Sequence, residues 1–556
     1  MSAPVLQIDD LHVRLPDGAE RDYAVEAVSY ALSPNEILCV VGESGSGKSL
    51  TARAIMGLLP EPQVRYEKGA IRFGGEDLTR VTPARMRAVR GGEISMIFQE
   101  PMTALNPVMR IGQQIDEVIR FHAKLARGKR RARALELVED VQLPDPERML
   151  RAYPHELSGG QRQRAMIAMA LAMEPKVLIA DEPTTALDVT TQAQILSLIA
   201  ALQQKHDTGV LFITHDFGVV ADIADRVAVM QHGRIVEIDT ADRVLNAPSH
   251  PYTRSLIAAV PGLVPRAAKP VARDTLLEVR SVSKTYGGGR GLFGRGSEGV
   301  RAVDDADLAL NAGETLGIVG ESGSGKSTLA RCIVRLIDTD AGQIRYRGDD
   351  IAALGRARMR PYRAKLQMVF QDPFASLNPR SRVGRIIADG PIVLGESRTV
   401  AEARAREMLE LVGLDARAYD RYPHEFSGGQ RQRVGVARAL ALRPEVLVAD
   451  EPVSALDVSV QAQVLELLAR IRDELALSMV FITHDLRVAA QVCDRVAVMR
   501  LGRIVEQGPT AALFERAEHP YTRELLAAVP GRHWRAPLVA PFDDRGARSA
   551  SGESNG

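Results

Sequence analysis

Gly42-Glu-Ser-Gly-Ser-Gly-Lys-Ser49 has the residue types and the spacing of a phosphate cradle. Gly42, Gly45 and Gly47 let successive backbone N–H groups turn inward, and a helix start adds positive dipole. Lys48 can then reach β- and γ-phosphates, and Ser49 can ligate Mg²⁺. The same eight residues recur as Gly320–Ser327, with Gly320, Gly323, Gly325, Lys326 and Ser327 in the matching places. A single match of this kind is compatible with a glycine-rich turn that binds nothing; two matches with shared partners are not. The partners are VLIADE, Val177 to Glu182, and VLVADE, Val446 to Glu451. Each places two acids at the end of an apolar run. Asp181 and Asp450 suit Mg²⁺, a hard cation that prefers carboxylate oxygen. Glu182 and Glu451 can polarise an attacking water as general bases. His215 and His484, in Thr214-His-Asp216 and Thr483-His-Asp485, follow in the same order.

These residues need strands and helices to hold them, and the chain supplies the elements twice. Phe98–Pro107 recurs as Phe370–Pro379, and Tyr153–Arg164 as Tyr422–Arg433. The two lysines lie 278 positions apart, the histidines 269, and the strand-like Leu6-Gln-Ile8 and Leu277-Glu-Val279 lie 271 apart. The second half therefore gains about seven residues before its phosphate loop, and the glycine-rich run Gly287 to Gly299 is the expected place, since surface insertions are well tolerated. Ile37–Val41 predicts a short buried strand into the first loop, and Ser49–Leu59 the helix after it. Val177–Ala180, Val210–Ile213 and Val227–Met230 predict further strands of a mostly parallel core. Between Gln99 and Ser158 the pattern turns helical, as in Ile111–Ile119 and Arg133–Asp140, so a helical insert interrupts each α/β core. The expected organisation is a first domain over 1–260, a linker over 261–275 with three prolines, a second domain over 276–531, and a polar, disordered tail over 532–556.

Composition narrows the function. The 556 residues exceed what one hydrophobic core supports. The 71 basic and 70 acidic residues nearly cancel, which gives no general reason to expect nucleic acid as a partner. Cys39, Cys332 and Cys493 stand far apart with no CxxC pair, which argues against a disulfide framework or a zinc site and for a reducing compartment. Met1 to Asp10 shows neither a basic segment nor an apolar run, so no secretory signal is expected and the chain is expected in the cytoplasm. No stretch reaches the roughly 18 apolar residues of a spanning helix.

Leu157-Ser-Gly-Gly-Gln161 and Phe426-Ser-Gly-Gly-Gln430 complete the set. With them the chain resembles the ABC ATPase family over about residues 5 to 260 and 276 to 530. The resemblance implies two tandem phosphate-loop NTPase domains, each with a RecA-like core, an antiparallel β subdomain and an inserted α-helical subdomain. It assigns Gln99 and Gln371 to the loop that contacts nucleotide and Mg²⁺, His215 and His484 to the switch, and Asp188 and Asp457 to the loop beyond the acids. It adds Thr328 to the nucleotide contacts. Ser158, Gly160, Gln161, Ser427, Gly429 and Gln430 form signatures that serve the nucleotide of the opposite half. Family members stack adenine on an aromatic residue about 25 positions before the lysine; Tyr23 fits, whereas Arg301 occupies that place in the second half. Tyr286, Phe293 or the guanidinium itself are the candidates there.

His250-Pro-Tyr-Thr-Arg254 and His519-Pro-Tyr-Thr-Arg523, each followed by Ala-Ala-Val-Pro-Gly, point within the family to the importers of oligopeptides, dipeptides, nickel and glutathione. The implied partners are two membrane permease subunits and a solute-binding protein, with the ATPase peripheral on the cytoplasmic face of the inner membrane. Peptides are the expected cargo, with nickel or glutathione as alternatives; a translation factor with tandem halves fits the short, proline-containing linker less well. ATP and Mg²⁺ are the expected cofactors. No cysteine-rich segment follows Gly262 or Gly531, so no iron–sulfur cluster is expected.

Overall fold

The structure is a computed structural model that describes residues 3–19, 21–184, 187–266, 274–287, 299–372, 376–454 and 456–536. Residues 267–273 of the expected linker, the core of the glycine-rich run with Phe293, the segment around Phe374 and residues 537–556 of the expected disordered tail lie outside the described residues. The described residues form two units. One draws on Met1–Leu187, Thr191–Val260 and Pro530–Gly556, the other on Asp188–Thr190 and Pro261–Val529.

In the first unit β1 (Leu6–Arg14), β2 (Tyr23–Leu32), β4 (Arg65–Phe73) and β5 (Glu76–Asp77) make an antiparallel sheet in the order β2-β1-β4-β5. A second sheet runs β10-β9-β3-β8-β7-β6, from β3 (Ile37–Val41), β6 (Ile94–Ile97), β7 (Val177–Asp181), β8 (Gly209–Ile213), β9 (Arg226–Gln231) and β10 (Arg234–Thr240). Its pairs are parallel except β9 with β10. Every residue of β3, β7 and β8 is buried, which is why these strands read as unbroken apolar runs rather than alternating ones. Because β3 and β7 both flank β8, the loops at their C-terminal ends open side by side. That is where the phosphate loop and the paired acids emerge.

The helices Ile111–His122, Arg127–Asp140, Pro146–Arg151 and Gly159–Ala170 form the insert. Ile111, Ile115 and Ile119 recur at helical spacing and are buried, and the packing extends to Leu137, Val138 and Met149. The helix after the phosphate loop is Lys48–Ile55, shorter than the pattern predicts. Met56 caps it, Gly57 takes φ +59°, and Pro60 follows, so the chain leaves the helix before Leu59.

The second unit repeats this plan. β11 (Thr275–Tyr286), β12 (Val300–Asn311), β14 (Ala341–Tyr346) and β15 (Asp349–Asp350) form its antiparallel sheet, in the order β12-β11-β14-β15. β13 (Thr315–Val319), β16 (Leu366–Val369), β17 (Val446–Asp450), β18 (Ser478–Thr483), β19 (Arg495–Arg500) and β20 (Arg503–Pro509) give the order β16-β17-β18-β13-β19-β20. The three cysteines are buried and free, as small apolar core residues.

Candidate functional site

Lys48 leaves β3 through a loop that only glycine can close. Gly47 has φ +104°, and a Cβ there would lie 2.5 Å from the Ala24 carbonyl oxygen; at Gly325 the φ is +105° and the distance to the Ala302 oxygen 2.1 Å. The lysine folds back over its own loop. Lys48 Nζ donates to Gly42 O at 2.7 Å, Glu43 O at 2.9 Å and Ser46 Oγ at 3.5 Å. Lys326 Nζ donates to Gly320 O at 2.8 Å, Glu321 O at 2.7 Å and Ser324 Oγ at 3.4 Å. Both ammonium groups are buried. Burial holds Lys326 below its ordinary value against the pull of Glu451 and Asp450. A cation desolvated in this way is poised for an anionic ligand.

Ser49 Oγ donates to Asp181 at 2.8 Å, and Ser327 Oγ to Asp450 at 2.9 Å. Burial raises both aspartates; the serine hydrogen bond works against that, and the adjacent Glu182 or Glu451 charge works with it. A hydroxyl and a carboxylate oxygen in contact at the mouth of a phosphate loop fit Mg²⁺, which takes oxygen ligands and keeps several from phosphate and water.

Next to each aspartate stands the candidate base. Gln99 Nε2 donates to Glu182 Oε2 at 2.8 Å, and Gln371 Nε2 to Glu451 Oε2 at 2.8 Å. The glutamines expected at the cation donate here to the candidate base. His215 Nδ1 lies 3.6 Å from Glu182 and His484 Nδ1 3.2 Å from Glu451. Burial disfavours the His484 imidazolium, but the hydrogen bond and charge of Glu451 outweigh it and raise the histidine; Glu451 is lowered despite its own burial. Glu182 and Glu451 both take left-handed backbone, with φ +47° and +44°. Each is fixed there by an N–H bond across the sheet, to Ile213 O and Ile482 O, both at 3.0 Å.

Residues 25–185 and 303–454 match the model of the ABC transporter family. The chain belongs to that family. It is an ABC-type ATPase with two tandem α/β cassettes. Residues 236–288 and 505–541 match a second model, the oligopeptide/dipeptide transporter C-terminal region. The chain is 49% identical over 531 residues to the peptidoglycan transport ATP-binding protein YejF of Agrobacterium fabrum, covering 95% of this chain and 96% of that protein. It is 47% identical over 560 residues to the glutathione import ATP-binding protein GsiA of Salmonella typhimurium, covering 95% and 90%. GsiA of Escherichia coli O157:H7 is 46% identical over 557 residues, covering 95% and 89%.

The ABC signature is built as a helix cap. Ser158 Oγ accepts from Gln161 N at 3.3 Å and Gln161 Oε1 accepts from Ser158 N at 3.0 Å; Ser427 and Gln430 do the same at 3.4 and 3.1 Å. The S-x-x-Q spacing that allows this reciprocal pair was visible in the motif. At Gly160 a Cβ would meet Thr191 Cγ2 at 2.6 Å, so a side chain is excluded where the helix opens.

The candidate adenine contacts differ between the two ABC cassettes. Tyr23 pairs with Arg14 across β1–β2, and Arg301 takes the same register opposite Thr285 across β11–β12. The Tyr23 hydroxyl donates to Glu67 at 2.8 Å and its ring meets His12 edge-on at 5.5 Å, whereas Arg301 is drawn to Asp304 at 2.7 Å. Tyr286, one step outward, is exposed. Tyr23→Ala is expected to weaken ATP at the Lys48 site by on the order of 1 kcal/mol, about fivefold, with Tyr23→Phe near wild type. Arg301→Ala costs less at the Lys326 site if Tyr286 stacks. ATP titration of the single variants reads this directly, and equal losses for Tyr23→Ala and Arg301→Ala would remove the asymmetry.

Two contacts were not legible beforehand. Arg21 donates through Nη2 to Gly45 O in the first phosphate loop. The tyrosines of the two HPYTR segments, Tyr252 and Tyr521, reach Glu43 and Glu321 in the loops themselves. Sequence spacing carries no signal for either contact, because the partners meet only through tertiary folding.

Proposed function

We propose that this ATPase uses two ATP sites to drive uptake of peptides through separate membrane subunits, with a solute-binding protein choosing the cargo. The observation that supports it most is the pairing of a complete lysine, serine, aspartate, glutamate, glutamine and histidine set in both halves with a C-terminal region of the oligopeptide/dipeptide transporter type. At each site ATP phosphates draw the lysine ammonium from its loop carbonyls. Ser49 with Asp181, and Ser327 with Asp450, would hold Mg²⁺ alongside Gln99 and Gln371. Held there, the cation would supply positive charge to offset that of the phosphates. Glu182 and Glu451 take a proton from the attacking water, with His215 and His484 beside them to stabilise the charged site. The signature serines and glycines serve the nucleotide of the opposite half, so the halves pair within one chain.

Among the described residues no helix is long and apolar enough to cross a membrane. The match to the transporter C-terminal region supports a membrane path in two separate permease subunits, with this chain peripheral on the cytoplasmic face. Glutathione, itself a short peptide, is the second reading, favoured by the 47% identity to GsiA. Proteoliposomes carrying the chain with its permeases and solute-binding protein should take up labelled di- and oligopeptides only when ATP is supplied. Uptake of glutathione alone would select the second reading, and uptake of neither would overturn both.

A further inference from the structure

The HPYTR segments occupy the same place in both units. Glu237 on β10 accepts from Ser249 N at 2.7 Å and His250 N at 3.1 Å; Glu506 on β20 accepts from Glu518 N at 2.8 Å and His519 N at 3.1 Å. His250 then caps the helix Pro251–Ala258, its Nδ1 accepting from Tyr252 N, and His519 caps Pro520–Ala527 in the same way. This anchoring fixes where the next residue but one projects. The Tyr252 hydroxyl accepts from Glu43 N at 3.3 Å, and the Tyr521 hydroxyl from Glu321 N at 3.2 Å.

The peptide group caught is a particular one. Its carbonyl, Gly42 O or Gly320 O, is the group that accepts from the lysine ammonium at 2.7 or 2.8 Å. The first peptide of each phosphate loop is thus held on its C=O side by the lysine and on its N–H side by a phenol from the C-terminal extension. The contact spans 209 residues in one half and 200 in the other, so it has survived insertions and deletions between its partners. In the second unit the ring is further held under Arg500, whose guanidinium carbon lies 4.5 Å from the centroid, and Tyr521 is 1% exposed.

We infer that Tyr252 and Tyr521 are positioning residues for the two ATP sites, keeping the phosphate loop in its receptive shape while the lysine transfers from loop carbonyls to phosphate. This rests on the reading of the loops as ATP sites. When the ammonium leaves, the phenol still fixes the direction of the first peptide, so the remaining N–H groups need no rearrangement to meet the phosphates. The C-terminal extension thereby becomes part of the nucleotide site and not an appendage to it.

The test is the full chain carrying Tyr252→Phe and Tyr521→Phe, which keeps both rings and removes only the hydroxyls. Loss of the hydroxyl's hydrogen bonding to Glu43 or Glu321 is expected to raise KM for ATP about fivefold while kcat stays within about twofold. The melting temperature without nucleotide should stay near wild type, and the upward shift produced by ATP should shrink. An unchanged KM, whether or not the melting temperature falls, would assign the tyrosines to packing alone and overturn the inference. If the double variant is too unstable to assay, the single Tyr252→Phe chain is read by photolabelling with an azido-ATP. Selective loss of label in the Lys48 half supports the role, and equal labelling of both halves refutes it. A wild-type chain that fails to bind ATP at all would instead overturn the underlying site assignment.

Discussion

Replacing Glu182 and Glu451 together by Gln is expected to leave ATP binding intact and to slow hydrolysis by about 10²- to 10⁴-fold. The substitution is nearly isosteric. Its amide oxygen can still accept from Gln99 or Gln371, which hold the native carboxylates at 2.8 Å, so the loop geometry persists. What disappears is the negative charge that takes the proton from water and that raises His484 above its ordinary value. Phosphate contacts from the lysine and the loop amides are untouched, so nucleotide should accumulate on the protein. Equilibrium ATP binding and phosphate release measured on one preparation separate the two effects. Hydrolysis within threefold of wild type would remove these glutamates from the role of base. Each single change also informs on the pairing of the halves: coupled sites predict that either one leaves well under half of the turnover, whereas independent sites predict half.

Lys48→Ala with Lys326→Ala should have the opposite signature, a loss of ATP affinity of roughly 10- to 100-fold at each site, the equivalent of about 1.5–3 kcal/mol for hydrogen bonds to a charged group. Each ammonium donates to two loop carbonyls and a serine hydroxyl, and Lys326 is held below its ordinary value by burial. Phosphate offers this desolvated charge a better partner than neutral carbonyls do. Calorimetric titration with ATP, with magnesium present, gives the affinity, and thermal melting without nucleotide reports whether the fold has held. If affinity is unchanged while hydrolysis is abolished, the lysines act only on the transition state and the cradle argument fails.

Much of this site could be read in the chain because its chemistry is local. Ile37–Val41 is the strand the apolar run predicts, residue for residue, and the phosphate loop, the strand-end acids and the histidines each sit where a short motif put them. The second half repeats the same motifs in the same order and so supports the assignment of the first. What escaped was whatever depends on partners distant in sequence. The helix after the loop ends at Ile55 because a left-handed glycine and a proline lie just beyond, a stop that the run of helix-compatible residues to Leu59 obscured. Gln99 and Gln371 were placed by resemblance at the cation, and their hydrogen bonds to Glu182 and Glu451 follow from how two loops on adjacent strands meet. The HPYTR segments stood out as a repeat with no evident mechanical role. Only the tertiary fold shows the tyrosine against the phosphate loop.

The left-handed backbone at Glu182 and Glu451 has an evolutionary consequence. A side chain longer than glycine or asparagine in that conformation costs on the order of 1 kcal/mol of folding free energy. Should one half be released from selection for hydrolysis, drift to glycine or asparagine at this place would be rewarded with stability at once. Degeneration of a cassette would therefore begin at this glutamate. This chain keeps glutamate there in both halves, the pattern expected when each copy is still under selection to turn over.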